Sequence, residues 1–167
     1  VVTYTGNGNS DRQISHNLGS TVGMMVIKQT SGSGTPWAVY HRSNGATGAL
    51  YLNETRDFLT ADSFFNDTDP TSTVFTVSNT YAVNRTGYDY VAYLFAHDPD
   101  GEDDDGMIAC GSYTGSNSAS VSVNLGWEPQ WILIKRTTNA GDAYRGWVIY
   151  DTMRGLVVGG NDAGLSP

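Results

Sequence analysis

One cysteine, few cations and no long apolar run define this 167-residue chain before anything it contains. The lone Cys110 excludes an intrachain disulfide, so stability must come from packing or from oligomerisation. Between Ile108-Ala109 and Gly111-Ser112 it reads as a small buried hydrophobe ahead of a reactive thiol. The nine Lys and Arg residues are scattered singly against a formal net charge of −8. Binding a phosphate backbone takes clustered cations, so no nucleic-acid partner is expected. No apolar run is long enough to span a bilayer and no signal peptide is read, so membrane insertion is not expected either. A start at Val1 instead of Met fits a portion of a longer protein. Charged residues make up only 16%, which leaves Ser, Thr and Asn to wet the surface. With 20 Gly for turns and many Thr, Val and Tyr for pleated surfaces, that profile suits an all-β extracellular or virion protein.

What is there is said twice. Tyr4-Thr5-Gly6, Asn17-Leu18-Gly19, Met24-Met25-Val26-Ile27-Lys28 and Trp37-Ala38-Val39-Tyr40 return as Tyr113-Thr114-Gly115, Asn124-Leu125-Gly126, Trp131-Ile132-Leu133-Ile134-Lys135 and Trp147-Val148-Ile149-Tyr150. From the Asn to the Lys the two copies align without a gap at an offset of 107, while the loops around them differ in length. Strands hold register and loops do not, so the duplicated object is a β unit. In each copy Asn-Leu-Gly should close a strand with a buried Leu and a Gly free to take positive φ. Lys28 and Lys135 should then end their strands with the charge in solvent at a sandwich edge, a structural role in preference to a ligand contact.

The duplication divides the chain into a first β unit at 1–98, an acidic linker at 99–109 and a second, incomplete β unit at 110–167. In the first unit strands are expected at Met24–Gln29, Trp37–His41, Ala49–Leu52, Val74–Val77 and Asp89–Ala96, separated by turn clusters such as Ser31-Gly32-Ser33-Gly34. Short strands at this spacing predict an all-β fold, a β-sandwich or jelly roll of lectin-like type built on the internal repeat. Met24–Ile27 and Trp131–Ile134 are apolar on both faces and predict central strands covered on each side. Ser118–Val123 alternates and predicts a strand with one face in solvent. Thr60–Asn66 predicts one helical turn that packs Phe64 and Phe65 on the sandwich.

The chain resembles a repeat of structural proteins from tailed bacteriophages, especially those of marine and cyanobacterial hosts, where it is a domain of unknown function in tail-fibre-like and other virion proteins. The likeness rests on Tyr113-Thr114-Gly115 after Cys-Gly-Ser, on Asn124-Leu125-Gly126 with Pro129, and on Ile134-Lys135-Arg136. It rests also on Trp147 through Tyr150-Asp151-Thr152-Met153-Arg154-Gly155 and on Tyr90-Val91-Ala92-Tyr93-Leu94-Phe95-Ala96, and so covers nearly the whole chain. The first copy departs from the pattern, with Val22 where the second has Pro129 and without Asp-Thr-Met-Arg-Gly.

Residues that could carry chemistry are few. A sandwich glycosidase needs two carboxylates facing each other on neighbouring strands, and no predicted strand carries two. His16, His41 and His97 stand singly, without a nucleophile or ligand pattern, so no enzyme is expected. Six of the seventeen carboxylates crowd into Asp98–Asp105. Their first reading is a solvated linker; the second is a calcium site at Asp100, Glu102 and Asp104, although Asp105 stands where an EF-hand loop needs Gly. No other cofactor is read. Asn53-Glu54-Thr55, Asn66-Asp67-Thr68 and Asn84-Arg85-Thr86 match the glycosylation pattern as chance does in a chain rich in Asn and Thr. Of the four tryptophans, Trp37 and Trp147 recur within strands and read as core, while loop-borne Trp127 is the candidate to stack on a sugar or a neighbouring subunit.

Together these readings imply a non-enzymatic virion protein assembled in the host cytoplasm, a tail-fibre or appendage module contributing to host attachment. Its partners would be other virion proteins, copies of itself in a trimer, and a host surface glycan or protein. A capsid or tail decoration protein that binds only virion proteins is the alternative, and a secreted lectin-like adhesive module the third.

Overall fold

A computed structural model of the chain describes residues 1–97, 108–138 and 146–154. Ten strands run through it: β1 (Val2–Thr5), β2 (Arg12–Ser15), β3 (Val22–Gln29), β4 (Ala38–His41), β5 (Gly48–Tyr51), β6 (Leu59–Thr60), β7 (Val74–Val77), β8 (Asp89–Ala96), β9 (Trp131–Lys135) and β10 (Trp147–Asp151). The architecture is all-β, every pairing is antiparallel, and the described residues contain no α-helix and no closed barrel.

β3 decides the layout. Its eight residues are buried almost throughout, which a strand achieves only if both faces are covered. It lies inside a six-stranded sheet of order β1-β8-β3-β4-β5-β6, and alternation sends Met25 and Ile27 into one core and Met24 and Val26 into another. The larger core gathers Tyr4, Tyr40, Tyr51, Tyr90 and Ala92 from the sheet with Ile14, Phe75 and Val77 of the β2–β7 ribbon. Phe64 and Phe65 join it from a turn closed by Asn66 N–H donating to Asp62 O at 2.8 Å, as the single helical turn predicted there requires. The smaller core lies on the opposite face, where Met24, Val26, Val39 and Leu50 meet Trp147 and Leu133 of the β9–β10 ribbon. The molecule is thus layered, with a ribbon on each side of the sheet.

The two hairpins of the repeated segments have the same register. β3–β4 pairs Met24 with His41, Met25 with Tyr40, Val26 with Val39 and Ile27 with Ala38. β9–β10 pairs Trp131 with Asp151, Ile132 with Tyr150, Leu133 with Ile149 and Ile134 with Val148. Gly19 and Gly126, which close the two Asn-Leu-Gly motifs, both adopt the left-handed region at φ 75° and 79°.

Three expectations are corrected. Ser118–Val123 forms no strand: every residue from Gly111 to Asn124 is exposed, and no described segment pairs with it, so the alternating pattern has nothing to bond. Trp131–Ile134 is one strand of a two-stranded ribbon and not a covered central strand; Trp131 itself is 50% exposed. Lys28 ends a strand in the sheet interior, and its ammonium is not free in solvent but donates to Thr35 O and lies 5.6 Å over the Trp37 ring.

Candidate functional site

Two loops at one end of the six-stranded sheet, with one tyrosine from a third connection, line an open cleft of about 360 Å³. Thr35 and Pro36 come from the β3–β4 loop, Asn53, Glu54 and Arg56 from the β5–β6 loop, and Tyr81 from the connection between β7 and β8; Tyr51 at the end of β5 lies at the base. The loops are fastened to each other by Trp37 N–H donating to Asn53 Oδ1 at 2.9 Å and Leu52 N–H donating to Trp37 O at 3.0 Å.

The β5–β6 loop is also held from outside. Lys135 Nζ donates to Thr55 O at 3.0 Å and Glu54 O at 3.3 Å, Phe58 N–H to Thr137 O at 3.1 Å, and Trp147 Nε1 to Tyr51 O at 2.8 Å. Burial lowers the pKa of Lys135, while nearby Asp57 works against that shift. The β9–β10 hairpin therefore fixes the β5–β6 loop, and Lys135 acts through backbone carbonyls instead of reaching solvent at a sheet edge.

Within the cleft the charges are already matched. Arg56 Nε lies 2.6 Å from Glu54 Oε2, and the guanidinium sits 5.3 Å over the Tyr51 ring. Burial raises the pKa of the Tyr51 hydroxyl, with nearby Tyr81 the second cause, so the Tyr51 phenol stays a neutral donor at ordinary pH. Tyr81 is 52% exposed.

The sequence candidates lie elsewhere. Trp127 is half-buried, not the exposed aromatic expected, and its Nε1 is buried without a hydrogen-bond partner in the structure. Asp100, Glu102 and Asp104 fall outside the described residues; among those described, no three His, Cys, Asp or Glu side chains are grouped to hold a metal. Cys110 is half-buried against Gly23, and burial raises its thiol pKa, the opposite of an activated nucleophile. Its N–H donates to His97 Nδ1 at 3.0 Å, and burial lowers the pKa of neighbouring His41. Asn84, in one of the glycosylation patterns, is fully buried and spends its amide on Asn7, Asn9 and Arg12. Trp37 is half-buried and Trp147 is 3% exposed, in keeping with their reading as core. Sequence reasoning missed Tyr81 and Arg56. Their signal was an aromatic and a cation in polar loops, the same one that singled out Trp127.

The family model described as a domain of unknown function (DUF7483) matches residues 1–167. The chain belongs to this family. No curated protein and no solved structure matches it. Family membership covers the cleft and both repeated segments alike, and assigns a role to neither.

Proposed function

We propose that this chain is a non-enzymatic structural module of a tailed-phage virion, part of a tail fibre or related appendage, that contributes to host attachment. It is assembled in the host cytoplasm and works as a homo-oligomer, a trimer in the favoured arrangement. The observation that carries the reading is the loop cluster of Tyr51, Asn53, Glu54 and Arg56, braced from Lys135 and Trp147 on a sheet scaffold and bordered by Tyr81, an arrangement suited to recognition. Two further facts support it. The described strands hold just two carboxylates, Asp89 in the six-stranded sheet and Asp151 in the β9–β10 ribbon, which is not the facing pair that glycan cleavage uses. The equal hairpin registers and equal glycine conformations favour a jelly-roll-like β-sandwich grown from an internal repeat.

Adsorption tests the reading. Purified chain added to host cells before phage should slow adsorption in proportion to its concentration, and an antibody against it should label an appendage in intact particles. Labelling of the capsid or tail tube with no effect on adsorption would favour the second reading, an architectural or decoration protein. That alternative has its own support in Tyr113, Val121, Val123 and Trp131, large apolar side chains left exposed on the second segment and suited to a neighbouring virion subunit. A secreted lectin-like module is the third reading and would label no particle.

A further inference from the structure

The cleft also has a chemistry that narrows what it can hold. The cleft holds about 360 Å³ and is open to solvent, so it can contact one face of a small ring, or of one unit of a polymer, without surrounding it. Its one carboxylate and one guanidinium neutralise each other at 2.6 Å. Glu54 offsets the attraction that Arg56 would offer a phosphate or sulfate, and Arg56 offsets the attraction that Glu54 would offer an ammonium, so a charged ligand gains little net electrostatic attraction here. Arg56 is held further by the Tyr51 ring beneath it. A neutral ligand depends on neither charge.

The remaining groups are those a polyhydroxylated ring uses. Tyr81 lines the cleft and is half exposed, and an exposed aromatic ring can take the apolar side of a sugar ring. Asn53 has its Oδ1 engaged by Trp37 N–H, which fixes the amide and leaves the Nδ2 hydrogens to donate elsewhere. Glu54 brings acceptor oxygens, and the phenols of Tyr51 and Tyr81 add hydroxyls. The loop presenting Asn53, Glu54 and Arg56 is fixed by Lys135, Thr137 and Trp147, so binding would not have to order it. We infer that this cleft is a binding site for a neutral saccharide, with Tyr81 as its stacking platform. The inference deepens the attachment reading and rests on it, yet the two fail separately.

Affinity electrophoresis of the purified full chain through gels cast with dextran, mannan or galactan, with heparin and alginate as anionic controls, tests it. At least one neutral polysaccharide should retard the chain and the anionic ones should not. Tyr81→Ala should weaken the retardation by about tenfold or more, and Tyr81→Phe, which keeps the ring, by no more than about threefold. Both variants should keep the parent thermal midpoint, because Tyr81 is half in solvent already. Absence of retardation by every neutral polymer, equal retardation by heparin, or binding indifferent to Tyr81→Ala would each overturn the site. If Tyr81→Ala still competes with phage for host cells as well as the parent does, attachment stands and the saccharide cleft falls. If the chain binds a neutral polysaccharide through Tyr81 but never slows adsorption, the cleft stands and the attachment reading falls.

Discussion

Hairpins β3–β4 and β9–β10 pair in one register and then part company. β3–β4 is enclosed between β8 and β5 in a six-stranded sheet, whereas β9–β10 has no further strand beside it among the described residues. The difference is sharpest just upstream. Arg12–Ser15, two residues before its Asn-Leu-Gly, is a strand because β7 pairs with it residue for residue. Ala119–Ser122 stands at the same distance before the second Asn-Leu-Gly and is no strand at all. Its alternation is the better of the two, since Arg12-Gln13-Ile14-Ser15 has one apolar residue in four. Strand formation here is therefore decided by an available partner and not by local pattern, as expected of a structure whose hydrogen bonds are all made to another segment.

The largest effect should come from the contact that joins the two segments. Trp147 is 3% exposed, packs with Val39 and Leu50 under the sheet, and donates its Nε1 to Tyr51 O. Trp147→Ala removes that volume and leaves the carbonyl unsatisfied, and should cost about 3–5 kcal/mol in urea denaturation. Its counterpart Trp37 is half-buried, so Trp37→Ala should cost distinctly less. Equal costs would mean that the second ribbon contributes little to the fold.

Asn84 ranks next and separates the units in another way. Its Oδ1 accepts from Asn7 N–H at 3.0 Å and Arg12 Nη1 at 3.2 Å, and its Nδ2 donates to Asn9 O at 2.8 Å, tying down the turn between β1 and β2. The corresponding turn of the second segment relies on Ser116 Oγ, which accepts from Ser118 and Ala119 N–H. Asn84→Ala should cost about 2–3 kcal/mol, since several partly buried groups lose their partner. Ser116→Ala, in an exposed loop, should change the midpoint by less than about 0.5 kcal/mol.

The same contrast explains what could be read without coordinates. β3, β7 and β8 were legible within a residue or two because their apolar content marks burial, and the Phe64-Phe65 turn because paired aromatics follow a capping residue. β2 was not, since its strand character comes from Val74–Val77 some sixty residues later, and β6 is two residues long. Ser118–Val123 failed in the opposite sense, a pattern without a partner. The cleft was hidden for a related reason: the bonds that fix Glu54 and Thr55 come from Lys135, 80 residues away in sequence, and nothing local to Asn53–Arg56 announces them.

Gly19 and Gly126 test whether the two Asn-Leu-Gly turns are held alike. A Cβ on either would meet nothing within 4 Å, so the cost of alanine lies in the positive φ alone. Gly19→Ala and Gly126→Ala should each destabilise by about 1–2 kcal/mol, and by nearly equal amounts. A cost at Gly19 with none at Gly126 would show that the second turn relaxes freely.

The smallest expected effect bears on the unpartnered segment itself. Val121 and Val123 are 42% and 52% exposed, in a stretch where every side chain from Gly111 to Asn124 faces solvent. Serine at both positions removes apolar surface that the single chain does not bury, so Val121→Ser with Val123→Ser should shift stability by less than about 0.5 kcal/mol in dilute solution. The measurement is a thermal midpoint at several protein concentrations. A midpoint independent of concentration and of the double substitution is the expected result for an isolated copy. If the midpoint instead rises with concentration, and the double variant abolishes that rise, the alternating pattern is buried between copies, since mass action stabilises only what association covers. The contrast between the two segments would then belong to the single chain and disappear in the oligomer.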